Sequence, residues 1–214
     1  MADTRSRFIS RRAMIASGLA ALPVRALAAN GQVVTILGDS ITAGLGLPGG
    51  QALPNQLHLA LLKLGVANIV RGAGVSGDTT AEGLGRMDFS IRADSAVVVI
   101  ALGGNDLLQG LDPKTSRANL DHIIRRLKER HKGIVLAGIA APSQIGAGYA
   151  HDFNAVFTGL AAEHHVALYP DLLAGVGRNP ALLQGDGIHP NARGVLIIAG
   201  RLAPVVAKVL REQP

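Results

Sequence analysis

The sequence predicts an α/β protein, a three-layer α/β/α sandwich built around a five-stranded parallel sheet. Two observations lead to this prediction. Short apolar runs rich in β-branched residues alternate along the chain with segments of helical length, which is the pattern of strands joined by crossover helices. The runs are apolar throughout, as expected for strands that helices cover on both faces.

The predicted strands are, in chain order, Gln32–Leu37, Val66–Val70, Ala96–Leu102, Gly133–Ile139 and Val166–Tyr169. Strands of this number and spacing favour a small doubly wound sheet of flavodoxin-like topology. In such sheets ligands bind outside the carboxyl ends of the strands. Residues that carry chemistry are therefore expected where strands end.

Four segments have the composition and periodicity of helices. Asp112 before Pro113 offers a capping carboxylate and a first-turn proline, and the following residues place apolar side chains on one face. Pro204 is expected to kink the last helix. The predicted helices are Leu57–Leu64, Asp112 to about Lys132, Phe153–His165 and Pro190–Arg211.

The basic charge of the chain is concentrated at its N-terminus. The formal net charge is +6 and the pI is 10.3, but five arginines and one acid lie before residue 29. The remaining 16 basic and 14 acidic residues give a net charge of only +2. With 3% aromatic residues, the chain offers no basic patch interleaved with stacking side chains, so no nucleic-acid partner is expected.

Residues 1–28 have the pattern of a secretory signal peptide, in which a charged start precedes an apolar stretch and the small residues Ala26–Ala28. Ser10–Ala16 resembles the twin-arginine export motif, so the export machinery is an expected partner. The apolar stretch has 12 residues, too few for a stable membrane anchor, which needs about 20. We predict removal of residues 1–28 and a periplasmic or secreted single domain of residues 29–214, without disulfides because the chain has no cysteine.

Polar residues follow two of the predicted strands and one C-terminal turn. Ser40 follows the first strand in Gly-Asp-Ser, where a nucleophile would have an exposed hydroxyl and a free N–H. Asn105 follows the third strand in Gly-Gly-Asn-Asp and offers an amide donor at the same sheet edge. Asp186 precedes His189 by three residues, and Pro190 holds this histidine outside the last helix. Each motif alone is also ordinary turn composition.

Together these motifs resemble the SGNH (GDSL-type) hydrolases, and within them the small bacterial thioesterases, lysophospholipases and arylesterases. The resemblance rests on four blocks in the same order, Gly38-Asp39-Ser40, Gly74–Thr79, Gly103–Asp106 and Asp186-x-x-His189-Pro190. It implies the SGNH hydrolase fold and a serine esterase, and the predicted signal peptide would make this esterase a secreted one. The substrate would be a small ester, or a thioester or lysophospholipid, and the small or apolar segments expected to face the site favour short to medium acyl chains.

The resemblance also implies a role for each site residue. Ser40 would be the nucleophile, His189 the general base and Asp186 the group that orients the base. The Ser40 N–H, the Gly77 N–H and the Asn105 side chain would form the oxyanion hole. The loss of one such donor costs on the order of 10²–10³ in rate. Asp39 and Asp106, which flank these groups in the sequence, are expected to support the site.

Three other readings stay open at the level of sequence. Gly72–Gly77 is a literal G-x-G-x-x-G, but dinucleotide sites have an acid about 20 residues on, at the end of the next strand, and the next predicted strand ends in Leu102-Gly103-Gly104, so no cofactor is expected. Asp39, Asn105, Asp106 and His189 could instead be ligands of a metal-dependent phosphoesterase, although no second histidine stands beside a strand end, and we expect no metal. A carbohydrate O-acetylesterase of the same fold is the third alternative, disfavoured by the scarcity of aromatic residues.

The segments expected to face the site are Leu107–Leu111 and Ala140–Tyr149, both made mostly of small or apolar residues. They predict an open, mainly apolar groove.

Overall fold

A computed structural model describes residue 1 and residues 31–213, and its centre is a sheet of five parallel strands in the order β2-β1-β3-β4-β5. This flavodoxin-like order confirms the predicted fold class. β1 and β3 are neighbours, and the chain leaves them toward opposite edges of the sheet, so the crevice between their carboxyl ends is the topological switch point. The strands are β1 (Gln32–Gly38), β2 (Asn68–Gly74), β3 (Ser95–Ala101), β4 (Gly133–Ala137) and β5 (Ala167–Tyr169).

Seven α-helices are described, and the longer ones form two layers. The second and last helices pack on each other and on the sheet, and the third, fifth and sixth form the other layer. This arrangement gives the predicted three-layer sandwich. The helices are α1 (Ser40–Ala43), α2 (Leu53–Lys63), α3 (Thr80–Ser90), α4 (Gly104–Leu108), α5 (Pro113–Glu129), α6 (Ala147–His164) and α7 (Ala192–Glu212).

The core lies on both faces of the central strands. β1, β3 and β4 are almost completely buried along their length, which explains their unbroken apolar sequences. α5 buries the apolar face expected from its periodicity, and Asp112 caps it by accepting a hydrogen bond from the Lys114 N–H at 2.9 Å.

The predicted second strand, Val66–Val70, is wrong in its bounds. β2 instead pairs with β1 from Asn68 through Gly74, so the Arg71–Gly74 part that reads as a loop belongs to the sheet. Among the described strands, β2 lies at an edge of the sheet and pairs with β1 alone, and most of its residues are partly or fully exposed. An apolar run is therefore not required there, and hydrogen bonding to β1 determines where the strand ends.

Three helices were not among those predicted. α1 and α4 are single turns at strand ends, and α3 contains Gly83 and Gly85, which lower helix propensity. The buried Gly83 packs directly against Leu102, which gives this glycine a packing reason. α2 and α6 begin earlier than predicted, and α7 runs without a break through Pro204.

The predicted signal peptide, residues 1–28, lies outside the described residues apart from Met1. Within the described part of the chain, no helix is both long and apolar enough to cross a bilayer. The predicted domain limits of 29 and 214 stay a prediction.

Candidate active site

Ser40 lies at the switch point, two residues after the end of β1. Asp39 is the N-cap of α1, and its Oδ1 accepts a hydrogen bond from the Ile41 N–H at 3.0 Å. Ser40 is the first residue of α1, so its own N–H has no acceptor within the helix. Ser40 is 7% exposed, and its side chain lines a cavity beside the crevice. The turn thus holds a hydroxyl and an N–H that has no acceptor among the described residues.

The Asp186–His189 segment forms a tight turn before α7. Asp186 Oδ1 accepts hydrogen bonds from the Ile188 N–H at 2.9 Å and from the His189 N–H at 3.0 Å. Asp186 Oδ2 lies 2.6 Å from His189 Nδ1. One carboxylate therefore fixes both the backbone and the ring of the histidine.

The imidazole of His189 also reaches the end of β1. Its Nε2 lies 2.8 Å from Ser40 Oγ, although the two residues are 149 positions apart in the sequence. Ser40, His189 and Asp186 thus form one hydrogen-bonded chain in the order hydroxyl, imidazole, carboxylate. Such a chain can activate a hydroxyl as a nucleophile and return its proton to a leaving group.

The hydrogen bonds to Asp186 keep it ionised. They hold the pKa of this carboxyl at about 2, well below its usual range, and the N–H of Ile188 is the largest cause, followed by the His189 side chain. The carboxylate beside His189 is therefore negatively charged at any pH at which the protein is expected to work. A negative partner stabilises an imidazolium when His189 accepts a proton.

Asn105 reaches the crevice from α4, which begins at Gly104, the second of two glycines that follow β3. Gly103 has a φ of +114°, and a Cβ at Gly104 would lie 3.0 Å from Asp39 Oδ2. Asn105 Nδ2 donates to the Asp78 carbonyl at 2.8 Å, and Asn105 also lines the cavity. The amide carries a second N–H that this bond does not use.

Gly77 precedes Asp78 on the exposed loop between β2 and α3. It has a φ of +92°, a conformation that L-residues with a side chain adopt at a cost. Within the described residues its N–H has no hydrogen-bond acceptor, and Gly77 does not line the cavity. The Asn105–Asp78 bond joins this loop to α4, so Asn105 lies beside the residue that follows Gly77.

Asp39 and Asp106 are both buried, and they make different contacts. Asp106 accepts hydrogen bonds from the N–H and hydroxyl of Thr80 and from the hydroxyl of Ser116, so it ties α4 to α3 and α5. Asp39 lines the cavity directly beside Ser40. Burial raises the pKa of Asp39 to about 6, against the lowering effects of the Ile41 N–H and of His189.

The raised pKa of Asp39 predicts that the free energy of unfolding depends on pH. The folded state holds this proton more tightly than the unfolded chain, so stability falls as pH rises from about 4 to about 6 and the loss persists above. Asp39→Asn does not ionise and can still accept from the Ile41 N–H. Its free energy of unfolding, relative to the wild type, is expected to rise by on the order of 2 kcal/mol between pH 4 and pH 8.

Urea unfolding at the two pH values measures this difference. Asp112→Asn, which alters the exposed cap of α5, is the matched control. Parallel stability curves for Asp39→Asn and the wild type would contradict a buried, ionising Asp39.

An apolar cavity of about 90 Å³ opens beside the hydrogen-bonded chain. Leu107 and Leu108, which lie on α4 rather than on a loop, confirm part of the predicted groove. No residue of Ala140–Tyr149 lines this cavity within the described chain, so the cavity does not bear on that part of the prediction. The other apolar lining residues are Ile41, Ile139, Leu173 and Ile188.

Two contacts around the site were not predicted from the sequence. Leu173 follows β5 in a segment without a recognisable motif, and nothing local marks it as a lining residue. Gln184 Nε2 donates to the Leu45 carbonyl at 2.8 Å and to the Pro190 carbonyl at 3.1 Å, so it joins the loop after α1 to the His189 turn. Nothing in the sequence around Gln184 predicts such a long-range contact.

The described residues offer one cluster with the ligand types of a metal site, Asp121, Glu163 and His164 on α5 and α6. It shares no residue with the Ser40 site, and Asp121 already accepts a hydrogen bond from Arg125 and lies 2.6 Å from His164 Nε2.

The G-x-G-x-x-G segment begins inside β2, since Gly72 to Gly74 pair with β1. Its first glycines are therefore not in the turn that a dinucleotide site requires.

Comparison with known proteins gives concordant matches. Residues 36–196 match the GDSL-like Lipase/Acylhydrolase family. The chain is 37% identical over 180 residues to Esterase TesA of Pseudomonas aeruginosa, covering 84% of this chain and 90% of the relative. It is 34% identical over 176 residues to an arylesterase of Vibrio mimicus, with coverage of 82% and 88%.

Solved structures of esterases are similar to this chain in fold and in sequence. A crystal structure of TesA has a TM-score of 0.78 at 34% identity and covers 83% of this chain and 99% of its own. AlinE4, an SGNH-hydrolase family esterase, has a TM-score of 0.71 at 40% identity, with coverage of 84% and 96%.

Proposed function

The chain belongs to the GDSL-like lipase/acylhydrolase family and is a carboxylic ester hydrolase, and from this premise we propose that it cleaves short- to medium-chain aryl and alkyl esters through an acyl-enzyme on Ser40. The observation that carries the proposal is the hydrogen-bonded chain from Ser40 Oγ through His189 to Asp186, which lies beside an apolar cavity. Thioesters and lysophospholipids present the same acyl carbonyl. An Escherichia coli relative that is 34% identical over 186 residues is named Thioesterase 1/protease 1/lysophospholipase L1.

In the proposed first step, Ser40 Oγ attacks the ester carbonyl. Asp186 accepts the Nδ1–H of His189, so Nε2 is free to take the Ser40 proton as the new C–O bond forms. The resulting imidazolium stays beside the ionised Asp186 and donates its proton to the leaving alcohol. The C–O bond to that alcohol breaks, and the acyl group remains on Ser40.

In the second step, water replaces the alcohol. His189 takes a proton from the water, which attacks the acyl-enzyme, and returns it to Ser40 Oγ as the carboxylic acid leaves. The net reaction is ester plus water to acid plus alcohol, and it needs no cofactor.

In both steps a negative charge develops on the carbonyl oxygen, and hydrogen-bond donors are needed to stabilise it. We assign them to the Ser40 N–H, the Gly77 N–H and the second N–H of Asn105. The free N–H at the start of α1 and the position of Asn105 at the cavity support this assignment. The N–H bonded to the Asp78 carbonyl holds the Asn105 amide in place and leaves the other available.

The cavity supports the substrate class. Its lining is almost entirely aliphatic beyond the reacting groups, and none of the described residues that line it is a Phe, Tyr or Trp on which a sugar ring would stack. It is small and open, which suits a short acyl chain better than a long one. Acetylated glycans are therefore disfavoured as substrates.

The proposed substrate class is tested with a chain-length series of p-nitrophenyl esters, run beside an acyl-CoA and acetylated sugars in excess EDTA. We expect kcat/KM to peak at short to medium chains, to fall toward palmitate, and to be unaffected by EDTA. A maximum on acetylated sugars, or loss of activity in EDTA, would instead favour the glycan O-acetylesterase or the metal-dependent phosphoesterase.

One variant tests whether the cavity holds the acyl chain. Leu108 is 62% exposed at the cavity, so Leu108→Trp is expected to fold and to shift the preference to shorter esters. Leu196→Trp, at a residue of α7 that is 54% exposed and outside the cavity, is the matched control. An unchanged preference in Leu108→Trp would remove the cavity from the account of specificity.

We further propose that residues 1–28 direct export, by the twin-arginine route, to the periplasm or beyond. The amino-terminal composition supports this proposal. Intact mass of the exported protein is expected to correspond to a chain that begins at Ala29, and exported protein that retains residues 1–28 would contradict it.

A further inference from the structure

Arg86, on α3, makes hydrogen bonds to four separate groups behind the candidate site. Its Nη2 donates to the Gly38 carbonyl at 2.8 Å, and its Nη1 donates to the Ala73 carbonyl at 2.9 Å and to Ser90 Oγ at 3.0 Å. Its Nε donates to Asp78 Oδ2. The Arg86 side chain is 21% exposed and the Asp78 side chain 9% exposed, so this ion pair is largely shielded from water. Arg86 therefore joins the ends of β1 and β2 to the loop before α3.

These contacts converge on the three groups assigned to the oxyanion hole. The Gly38 carbonyl lies two residues before the Ser40 N–H, and it also accepts from the Val75 N–H at 3.1 Å. Asp78 follows Gly77 directly, and its carbonyl accepts the Asn105 amide at 2.8 Å. Each donor is thus within one or two residues, or one hydrogen bond, of a group that Arg86 holds.

We propose that Arg86 is a positioning residue that fixes the three oxyanion donors relative to one another. This proposal rests on the proposed function, which assigns those donors. Arg86 does not line the cavity, so it acts through Gly38 and Asp78 and not on the substrate.

The guanidinium suits this position for a physical reason. Its donors form a rigid planar fork, so one side chain can hold two strand-end carbonyls and a carboxylate at fixed angles, whereas a lysine is a flexible point charge. Oxyanion stabilisation depends on donors within hydrogen-bond distance of the developing charge, and a misplacement of about 1 Å can cost on the order of 10² in rate. The charge pair with Asp78 also compensates a buried carboxylate, which is a purely structural role.

The test separates the positioning role from the structural one. Arg86→Met alone leaves the Asp78 carboxylate without its partner and is expected to lower stability. The double variant Arg86→Met/Asp78→Asn removes both charges and keeps the Asp78 carbonyl that holds Asn105. Arg86→Lys retains a positive charge near Asp78 without the fork, and it remains informative if the methionine variants do not fold.

We expect the double variant to recover most of the stability lost in Arg86→Met, while its kcat stays about 10- to 100-fold below the wild type at nearly unchanged KM. Inactivation by a p-nitrophenyl phosphonate, which also places negative charge on an oxygen at the site, is expected to slow by a similar factor. The kcat of Arg86→Lys is expected to lie between that of the double variant and that of the wild type. Arg130→Met is the matched control, because Arg130 also donates to a carbonyl, that of Ile91, and interacts with Asp88 outside the site; its kcat is expected to be unchanged.

Wild-type kcat in the stable double variant and in Arg86→Lys would overturn the proposal, because charge compensation of Asp78 would then be the whole role of Arg86. An increase in KM at unchanged kcat would overturn it as well. Failure of the proposed function itself has a different signature, namely activity that survives Ser40→Ala.

Discussion

Ser40→Ala is expected to lower kcat on p-nitrophenyl butyrate by on the order of 10⁶-fold, because the acyl-enzyme requires the hydroxyl that His189 activates. The substitution removes one oxygen at the first residue of α1, and the Asp39 cap of that helix stays in place. The variant is therefore expected to fold like the wild type, and circular dichroism and thermal unfolding check this. What activity remains would come from binding and the oxyanion donors alone.

Ser143→Ala is the matched control for Ser40→Ala. Ser143 is an exposed serine in a 3-10 turn after β4, and it does not line the cavity. Its variant is expected to retain wild-type kcat and KM. A Ser40→Ala enzyme that is purified free of wild-type protein and keeps activity within tenfold of the wild type would rule out the acyl-enzyme on Ser40.

His189→Ala is expected to lower kcat by a similar factor, because without the imidazole no group takes the Ser40 proton or protonates the leaving alcohol. The backbone of the turn is expected to persist, since the Ile188 and His189 N–H groups still donate to Asp186. His151→Ala removes an imidazole that is 81% exposed on α6, and it is expected to leave kcat unchanged.

The double variant Ser40→Ala/His189→Ala gives the sharper result. If the two side chains act as one unit, the double variant is expected to be no slower than either single variant, since each already removes the whole nucleophilic step. The measurement is kcat of all three proteins on one ester at neutral pH. Losses that multiply would show that Ser40 and His189 contribute independently, which contradicts the proposed mechanism.

The central strands could be predicted from the sequence because a strand that is buried on both faces requires apolar residues at nearly every position. β1, β3 and β4 are nearly unbroken apolar runs, and each lies within one or two residues of its predicted bounds. β2 could not be placed in the same way, because at the sheet edge pairing with β1 determines its extent and does not require apolar residues. α3 escaped prediction because tertiary packing of Gly83 against Leu102 compensates for the low helix propensity of its two glycines.

The residues that we propose as reacting groups could be singled out from the sequence, since each lies in a short motif at a strand end or in a tight turn. The Asp186–His189 pair is local, three residues apart, and the sequence marks it directly. The supporting contacts are different. Arg86 reaches Gly38 across 48 residues and Gln184 reaches Leu45 across 139, and such contacts depend on the completed fold, which a single sequence does not encode locally.

Covalent labelling of Ser40 tests the central claim most directly. The protein is treated with a p-nitrophenyl phosphonate, and the adduct is measured by intact mass and located by peptide mapping. We expect Ser40 Oγ to displace p-nitrophenolate from phosphorus, so that one adduct forms per chain on Ser40, one equivalent of p-nitrophenolate is released and esterase activity is lost. Ser40→Ala should remain unlabelled. Full inactivation with the adduct on another residue, or retained activity in a protein fully labelled at Ser40, would contradict the account.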